Sequence, residues 1–508
     1  MCDCVGHPSR RGFLTTSAGV GLVATGAAQP AVAAADRPVP RADQVDPLDP
    51  VALAAALIRF ETSQHGDGAH TEPYALFLDE IFRAAGMTTE LVRTPKAGDT
   101  HLIARVRGAG QAKPLIFLGH SDVVPADRPR WSVDPFGGVV RGGWLYGRGA
   151  LDMKGVNAAA ATALLRHLKE GARFDRDIVY LADSDEEIGP YGAGWLVKQR
   201  PDLLAASAIV TEGGWNLAEP GSDQPWLFTI TRQDRGAANL RLVGDGLTTH
   251  SSHPRPGSAI GRLARALDAL EDLRLDTVLT DLTSQYWRGV AEHAPNPRLR
   301  AAVRSLLSAP AGPHREAAAA RVVEASSFPW LHHSLLRPTL ALVGLAAGDR
   351  LNVIPGTATG LVNLRMPPGG PSLSQLLPQV RAAVRDPKVS LGVLPIGGRS
   401  EAETIAAVDE YLRRPPSATG QVYTALAAAA GRVYPRAGVV SALFEAGTSS
   451  TVWREAGVPA YGVYPIPVDD DTVNRMHGDD ERVRTDGIRR AADFFYRFFA
   501  GFRLPNSS

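Results

Sequence analysis

The sequence predicts an α/β protein. Its mostly parallel sheet, with helices on both faces, is interrupted by a smaller α+β domain of ferredoxin-like layout. The short apolar runs "PLIFLGH", "DIVYLAD" and "SAIVTEG" are typical of parallel strands buried on both faces. An Ala- and Leu-rich segment that ends at Gly171 lies between the first two runs and indicates a crossover helix. From about residue 228, alternating strand patterns and amphipathic helices in β-α-β order indicate the second domain.

These patterns divide the chain of 508 residues, which is too long for one compact core, into five predicted segments. They are a signal peptide at 1–35, a Pro-rich connector at 36–50, the main domain at 51–227 and 399–508, and the inserted domain at 228–398. Within the insert, "LFTITRQDRGAANLRLVG" predicts a half-exposed strand, and residues 275–335 predict a mostly helical elaboration. The segment "SAIGRLARALDAL" predicts a helix whose apolar face consists of Ile260, Leu263, Leu267 and Leu270.

Composition and charge exclude some partners. The formal net charge is +1, with 44% hydrophobic and 21% charged residues, as in ordinary globular proteins. We therefore expect neither nucleic acid nor an anionic membrane as a partner. No uninterrupted apolar run is long enough to span a bilayer.

The N-terminus has the pattern of a twin-arginine export signal. The stretch "SRRGFL" precedes a mildly apolar segment and small residues that predict cleavage near Ala33 or Ala35. We expect an exported protein, extracellular or periplasmic; the alternative is a disordered tail with a chance arginine pair. Both cysteines, Cys2 and Cys4, precede the predicted cut, so the mature chain is expected to have neither a disulfide nor a catalytic thiolate.

Polar residues at the ends of the predicted strands carry the chemistry. Carboxyl ends of parallel strands meet at one edge of a sheet, where sites are usually built. The residues brought there, or into adjoining loops, are His120, Asp122, the acidic run 183–187, Glu212, Asp152 and His477. Imidazole and carboxylate ligands without cysteine suit Zn²⁺, with Mn²⁺ or Co²⁺ as alternatives.

Six motifs in this order resemble the M20 family of dinuclear zinc peptidases and amidohydrolases. They are "GHSDVVP", "WSVDPFGG", "LYGRGALDMKG", "DSDEEIG", "TEGG" and "HGDDERV". The resemblance implies a hydrolase that binds two Zn²⁺ ions. Its substrate would be a small peptide or N-acyl amino acid, cleaved at the amide or peptide bond next to a free-carboxylate amino acid. It also implies that the inserted domain is a lid and the surface of a possible homodimer.

The resemblance assigns a role to each site residue. Asp152 would bridge two metal ions, His120 and Glu212 would complete one site, and Glu187 and His477 the other. Glu186 would be the general base acting on a metal-bridging water, and Asp122 would orient the His120 imidazole. A cis peptide is implied between Asp152 and Met153. We expect Asp183 and Asp185 to be solvated or capping residues rather than ligands.

Substrate contacts are implied in the inserted domain and in one loop of the main domain. The resemblance points to His250, with His253 as its competitor, for a contact often made across a dimer interface. It points to Asn352 and Arg365 for a substrate carboxylate, which an arginine fork binds well. The further predicted contacts, in "FEAGTSSTVW", are Gly447 and Thr448; Ser449 stands there where the family usually has Asp.

Other functions remain as alternatives at this point. "GHSDV" is a poor nucleophile elbow, because Val123 stands where glycine is needed. A dipeptidase, an aminopeptidase or a small-metabolite deacetylase would fit the same scaffold. A non-catalytic binding protein predicts the loss of a ligand or of the base, and neither is lost.

Overall fold

The computed structural model describes residues 39–63, 70–187, 189 and 191–505. The predicted signal peptide and the start of the connector lie outside these ranges. No helix within them is long and apolar enough to cross a membrane.

Helices are numbered in chain order. They are α1 (Pro50–Ile58), α2 (Glu72–Ala84), α3 (Lys154–Lys169), α4 (Ala193–Gln199), α5 (Ala259–Glu271), α6 (Asp281–His293), α7 (Pro297–Ser308), α8 (Pro313–Ala325), α9 (Pro329–Leu336), α10 (Leu373–Val384), α11 (Glu401–Arg413), α12 (Gln421–Val433), α13 (Thr451–Glu455), α14 (Asp470–Val473) and α15 (Thr485–Ala500).

Strands are numbered likewise. They are β1 (Thr88–Arg93), β2 (Thr100–Val106), β3 (Leu115–His120), β4 (Val139–Arg141), β5 (Trp144–Tyr146), β6 (Ile178–Asp183), β7 (Ala208–Thr211), β8 (Asn216–Ala218), β9 (Pro225–Asp234), β10 (Gly236–Asp245), β11 (Thr249–His250), β12 (Thr339–Ala346), β13 (Val353–Ile354), β14 (Thr357–Met366), β15 (Val389–Val393), β16 (Gly438–Phe444), β17 (Ala460–Gly462), β18 (Pro467–Val468) and β19 (Arg482–Arg484).

A ten-stranded sheet forms the main layer. Its order is β1-β2-β6-β3-β7-β17-β9-β8-β18, and β16 also pairs with β9. The centre, β6-β3-β7-β17, is parallel, whereas β1, β2 and β6 are joined by antiparallel pairs. The sheet is therefore mixed with a parallel centre, and the predicted α/β class is confirmed.

The helices around the centre of this sheet pack through small and aromatic side chains. All six residues of both β3 and β6 are buried, as the continuous apolar runs predicted. Ala158 to Ala161 of α3 are fully buried, and α3 packs closely against α1 and α15. Helix α15 contributes the buried side chains of Phe494, Phe495, Phe498 and Phe499. Burial of each such ring contributes roughly 2 kcal/mol of stability.

A second, antiparallel sheet lies in the predicted insert. Its order is β12-β14-β10-β15, with α5 and α10 packed on one face. Leu263, Leu267 and Leu270 of α5 are buried, as predicted, but Ile260 in the first turn is 44% exposed. The predicted apolar face of α5 is therefore correct except in its first turn.

The predicted single strand across residue 228 is two strands in two sheets. Strand β9 runs to Asp234 within the large sheet, and β10 begins at Gly236 within the small sheet. The chain crosses between the sheets at Arg235, not at the predicted boundary after residue 227. The alternation of apolar and polar residues cannot reveal where the chain crosses between the sheets, because the strand pattern continues through Asp234 and Arg235.

The helices between residues 281 and 336 pack on the large sheet, contrary to the predicted elaboration of the insert. Tyr286, Trp287 and Val290 are buried in the same core as the large sheet. Helix α6 passes so close that a Cβ on Gly289 would lie 2.5 Å from Val440 Cγ1 of β16. The other predicted domain limits stay predictions.

Candidate metal centre

The carboxyl edge of the parallel strands carries the predicted site. His120 is the last residue of β3, and Glu212 directly follows β7. Asp152 lies two residues before α3, and the Asp152–Met153 peptide is cis, as predicted. His477 comes from a loop near the C-terminus with a left-handed backbone, φ 62°.

Two groups of possible ligands share Asp152. One contains His120, Asp152 and Glu212, and the other Asp152, Glu187 and His477; within each group the ligand atoms lie within 4.8 Å of one another. His120 Nε2 is 2.9 Å from Asp152 Oδ1 and 3.7 Å from Glu212 Oε2. The structure brings together all five residues that the sequence predicted as ligands.

The second group is arranged around the other Asp152 oxygen. His477 Nε2 is 3.1 Å from Asp152 Oδ2 and 3.4 Å from Glu187 Oε1. Asp152 thus directs one oxygen to each imidazole. A carboxylate placed in this way is suited to bridge two cations.

The chemistry of the donors fits divalent metal ions. Glu187 Oε1 is buried and has no hydrogen-bond partner among the described residues. Burial and the Asp152 carboxylate raise the pKa of Glu212 to about 7. Burial disfavours the charged His477 ring, but the neighbouring carboxylates of Asp152 and Glu187 outweigh this and raise its pKa to about 10. Bound cations would offset this crowding of carboxylates.

Glu186 differs from its neighbour because it belongs to neither ligand group. Burial and the nearby charge of Glu212 raise the pKa of Glu186 well above its ordinary value. The side chain also lines a large cavity beside the two groups. An acid with these surroundings is suited to proton transfer.

Asp122 contacts the site differently from the prediction. His120 Nδ1 is 2.8 Å from the backbone carbonyl of Asp122, whereas the carboxylate is 3.7 Å away. The Asp122 carboxylate accepts the N–H groups of Glu186, at 3.1 Å, and Glu187, at 3.0 Å. The main chain of Asp122 therefore orients the imidazole, and its side chain holds the two glutamates.

Asp183 and Asp185 are buried, so the expectation that they are solvated is wrong. Asp183 accepts the N–H of Ala193 at the start of α4 (3.0 Å) and the hydroxyl of Ser449 (2.8 Å). Asp185 accepts the N–H of Tyr191 at 3.0 Å. Neither belongs to a ligand group, and Asp183 accepts the first N–H of α4 from outside the helix, whose N-cap residue is Gly192.

A cavity of about 850 Å³ extends from Glu186 between the large and small sheets. Of the predicted substrate contacts, Arg365, Gly447 and Thr448 line it. Arg365 Nε donates to Asn363 (2.8 Å), and a Cβ on Gly447 would lie 3.5 Å from Arg365 Nη1. The Thr448 hydroxyl is committed to Asp234 at 2.8 Å, so this side chain holds its loop.

The other two predicted contacts lie elsewhere. His250 and Asn352 are exposed and adjacent, since the N–H of Ser251 donates to the Asn352 carbonyl (3.0 Å) on the small β11–β13 ribbon. Neither residue lines the cavity that contains Glu186. The His250 ring is 2.7 Å from the Ser252 hydroxyl.

Arg235 is a cavity residue that sequence reasoning missed. It is 3% exposed, and Nη2 donates to the carbonyls of Arg337 (2.9 Å) and Arg365 (2.6 Å). Its Nε is buried without a partner among the described residues. Burial and the charge of Arg365 lower its pKa to about 9, and it remains a cation at neutral pH. Its place in the middle of an apparent single strand concealed it.

Comparison of the sequence with known families identifies the family of this chain. The sequence profile of peptidase family M20/M25/M40 matches residues 116–500. The chain belongs to peptidase family M20/M25/M40. It is thus a metal-dependent hydrolase of amide or peptide bonds, in a family with two-metal sites.

Curated M20 relatives cover most of the chain. It is 27% identical over 460 residues to the human N-fatty-acyl-amino acid synthase/hydrolase PM20D1, covering 88% of this chain and 85% of that protein. It is 25% identical over 407 residues to a probable carboxypeptidase S-like 2 of Dictyostelium discoideum, covering 76% and 70%.

Solved M20-type structures share the fold. Human carnosine dipeptidase 1 aligns with a TM-score of 0.65 at 17% identity, covering 90% of this chain and 96% of that chain. The metallo-carboxypeptidase Sso-CP2 from Sulfolobus solfataricus aligns with a TM-score of 0.62 at 16% identity, covering 89% and 99%.

Proposed function

We propose that this chain hydrolyses N-acyl amino acids at the amide bond next to the free carboxylate. The observation that carries the proposal is the arrangement at one end of the cavity. Two ligand groups share Asp152, Glu186 stands beside them outside either group, and Arg235 and Arg365 line the same cavity.

The first group would hold one metal ion through His120 and Glu212, and the second another through Glu187 and His477, with Asp152 common to both. When bound, such ions polarise the substrate carbonyl and lower the pKa of water. We propose Zn²⁺ as the ion, because Zn²⁺ sites that lack cysteine are usually built from imidazole nitrogen and carboxylate oxygen donors.

Glu186 moves the proton in this proposal. Its carboxylate takes a proton from the attacking water and delivers it to the nitrogen of the leaving amine. The Asp122 carboxylate fixes the backbone of Glu186 and Glu187 and so keeps the base beside the ligands. The same group must accept the proton and then donate it, so its carboxylate must not be held as a ligand, and Glu186 belongs to neither ligand group.

Arg365 and Arg235 bind the substrate carboxylate in this proposal. Both line the cavity that contains Glu186, and the main chain of Gly447 lies against Arg365. A buried cationic pocket favours an anionic group and penalises an uncharged analogue. The Arg235 side chain is itself fixed through carbonyls of the lid.

Part of the remaining cavity wall is apolar and suits the acyl group; the apolar side chains there are those of Trp195, Ile396, Val408, Tyr411 and Val452. Charged side chains of Lys198, Arg399 and Glu455 also line the cavity. The named activity of the human relative, on N-fatty-acyl amino acids, supports an acyl substrate. Carboxypeptidase action on short peptides is the second candidate, supported by the carboxypeptidase and dipeptidase likenesses.

A substrate panel tests the proposal. The purified chain, reloaded with Zn²⁺ after chelation, is assayed with N-acyl amino acids of increasing acyl length, their carboxamide analogues and matched dipeptides. We expect kcat/KM to rise with acyl length and to fall at least about a hundredfold when the carboxylate becomes a carboxamide. Equal rates for acid and carboxamide, or no hydrolysis of any acyl substrate, would refute the proposal.

We also propose a homodimer formed through the lid. Strand β12 is an edge of the small sheet, and Leu342, Val343 and Leu345 on it are 39%, 60% and 70% exposed. An exposed apolar edge strand is a template for pairing with another strand. His250, on the exposed ribbon of the lid, would then contact substrate in the other copy, as the family resemblance implies.

Export by the twin-arginine route is a further proposal, supported by the "SRRGFL" pattern alone.

A further inference from the structure

A buried ion pair outside the two ligand groups contacts the segments that carry Asp152 and His477. Arg148 Nη1 donates to one oxygen of Glu481, and both side chains are buried, at 2% and 0% exposure. The other Glu481 oxygen accepts the N–H groups of Gly149 (3.0 Å), Leu151 (2.7 Å) and Asp152 (3.2 Å). Glu481 therefore fixes the main chain that leads into the shared ligand.

Arg148 contacts the main chain of the segment that carries His477. Its Nη2 donates to the backbone carbonyl of His477 at 3.1 Å, and its guanidinium lies 5.3 Å above the Trp131 ring. One ion pair thus links the main chains of two ligands that are 325 residues apart in the sequence.

The second ligand group depends on this link more than the first. His120 ends a fully buried strand, whereas the His477 side chain is 46% exposed on a loop with a left-handed backbone. Burial of both charges is costly, and removal of one partner would leave the other uncompensated. The pair's contacts are directed to main-chain atoms that position Asp152 and His477.

We propose that Arg148 and Glu481 are positioning residues for the metal held by Asp152, Glu187 and His477. The inference rests on the proposed two-metal function. Loss of the Arg148 contact frees the His477 loop and weakens this site, while the His120 site keeps its strand-end ligands. Outer contacts of this kind typically change metal affinity by about 10- to 100-fold.

The test is metal binding by Arg148→Met, measured by calorimetry and by metal content at buffered free Zn²⁺. The chain is first stripped with chelator. We expect one ion to bind at least about tenfold more weakly and the other to be unchanged. Arg148→Lys should recover part of the loss, because it keeps the charge and one donor. Arg482→Met, next to Glu481 and bonded to Tyr146 and Asp471, is the matched control that should keep both ions.

A second variant serves if Arg148→Met does not fold. Glu481→Gln keeps an oxygen for the three N–H groups but removes the charge opposite Arg148, and the same selective loss is expected. Two ions with wild-type affinity in a folded variant would overturn the inference, as would equal weakening of both ions. A wild-type chain that binds fewer than two ions would instead remove the proposed function itself.

Discussion

At the scale of single residues, Glu186 and Glu187 show how neighbouring acids acquire different roles. Both backbone N–H groups donate to Asp122, but only Glu187 joins Asp152 and His477 in a ligand group. Adjacency in the sequence could not establish which glutamate faces the metals. The structure places Glu187 inside a ligand group and Glu186 outside both groups, and the roles of the two stay a prediction.

Glu186→Gln should separate proton transfer from metal binding. We expect both ions to be retained and kcat to fall at least about a hundredfold, because the amide cannot accept the proton. Metal content and steady-state kinetics are measured together, with the surface variant Glu410→Gln as a control. Turnover near that of the wild type would rule out Glu186 as the base.

Arg365→Met should weaken recognition of the substrate carboxylate. We expect a KM increase of about tenfold or more for an N-acyl amino acid and little change for its carboxamide, since only the acid uses the charge. For the N-acyl amino acid, the KM of Arg365→Lys should lie between those of the wild type and Arg365→Met. An equal KM increase for the acid and the carboxamide would show that Arg365 does not bind the substrate carboxylate.

His332 should make stability depend on pH. Burial lowers its pKa from 6.5 to about 3, between the hydroxyl groups of Tyr286 (2.8 Å) and Ser326 (2.7 Å). Below pH 6.5 the unfolded chain therefore binds a proton that the folded chain does not. Protonation of His332 in the unfolded chain therefore lowers the free energy of unfolding as the pH falls. The loss is absent above about pH 6.5 and grows by about 1.4 kcal/mol per pH unit as the pH drops toward 3.

The measurement compares the wild type with His332→Gln. Urea unfolding is followed at pH 7, 6 and 5. The variant is expected to be less stable at pH 7, and the difference should narrow at lower pH because glutamine does not titrate. Parallel pH dependences for the two proteins would show that His332 does not contribute.

At the scale of elements, periodicity predicted the buried strands and their helices well. Continuous apolar runs identified β3, β6 and β7, whose ends carry the site. The same patterns could not show that β9 and β10 enter different sheets, or that α6 packs on β16. Those features depend on contacts between residues far apart in the chain.

The sequence also could not show that Arg235 lines the cavity or that Arg148 pairs with Glu481, because both features depend on contacts between distant residues. Arg148 and Glu481 both stand in motifs that the sequence singled out, but nothing local indicates that they meet. Only the fold brings residues 333 positions apart into one ion pair.

The edge strand β12 gives a test of the proposed dimer. Val343→Lys combined with Leu345→Lys places two charges on the exposed edge, where they should block strand pairing. We expect the wild type to run as a dimer and the variant as a folded monomer by light scattering after size-exclusion chromatography. A variant that remains dimeric would exclude this edge as the interface.

At the scale of the whole molecule, the site lies where two sheets face each other across a cavity. The strand ends of the large sheet and the loops beside them carry the predicted ligands and base, while Arg365 belongs to the small sheet and Arg235 joins the two sheets. The sequence motifs named all five residues that the structure brings together in the two groups, because those residues lie at strand ends or in adjoining motifs. The positions of the predicted substrate contacts relative to the cavity could not be read from the sequence, because Arg365 lines it whereas His250 and Asn352 lie elsewhere.

We expect hydrolysis by this chain to require two bound metal ions. The most direct measurement titrates Zn²⁺ into the chelated chain while N-acyl amino acid hydrolysis and bound metal are followed together. We expect no activity in the metal-free chain and full activity when two ions are bound per chain. Hydrolysis by a chain shown to contain no metal, or full activity without binding of a second ion, would contradict the claim.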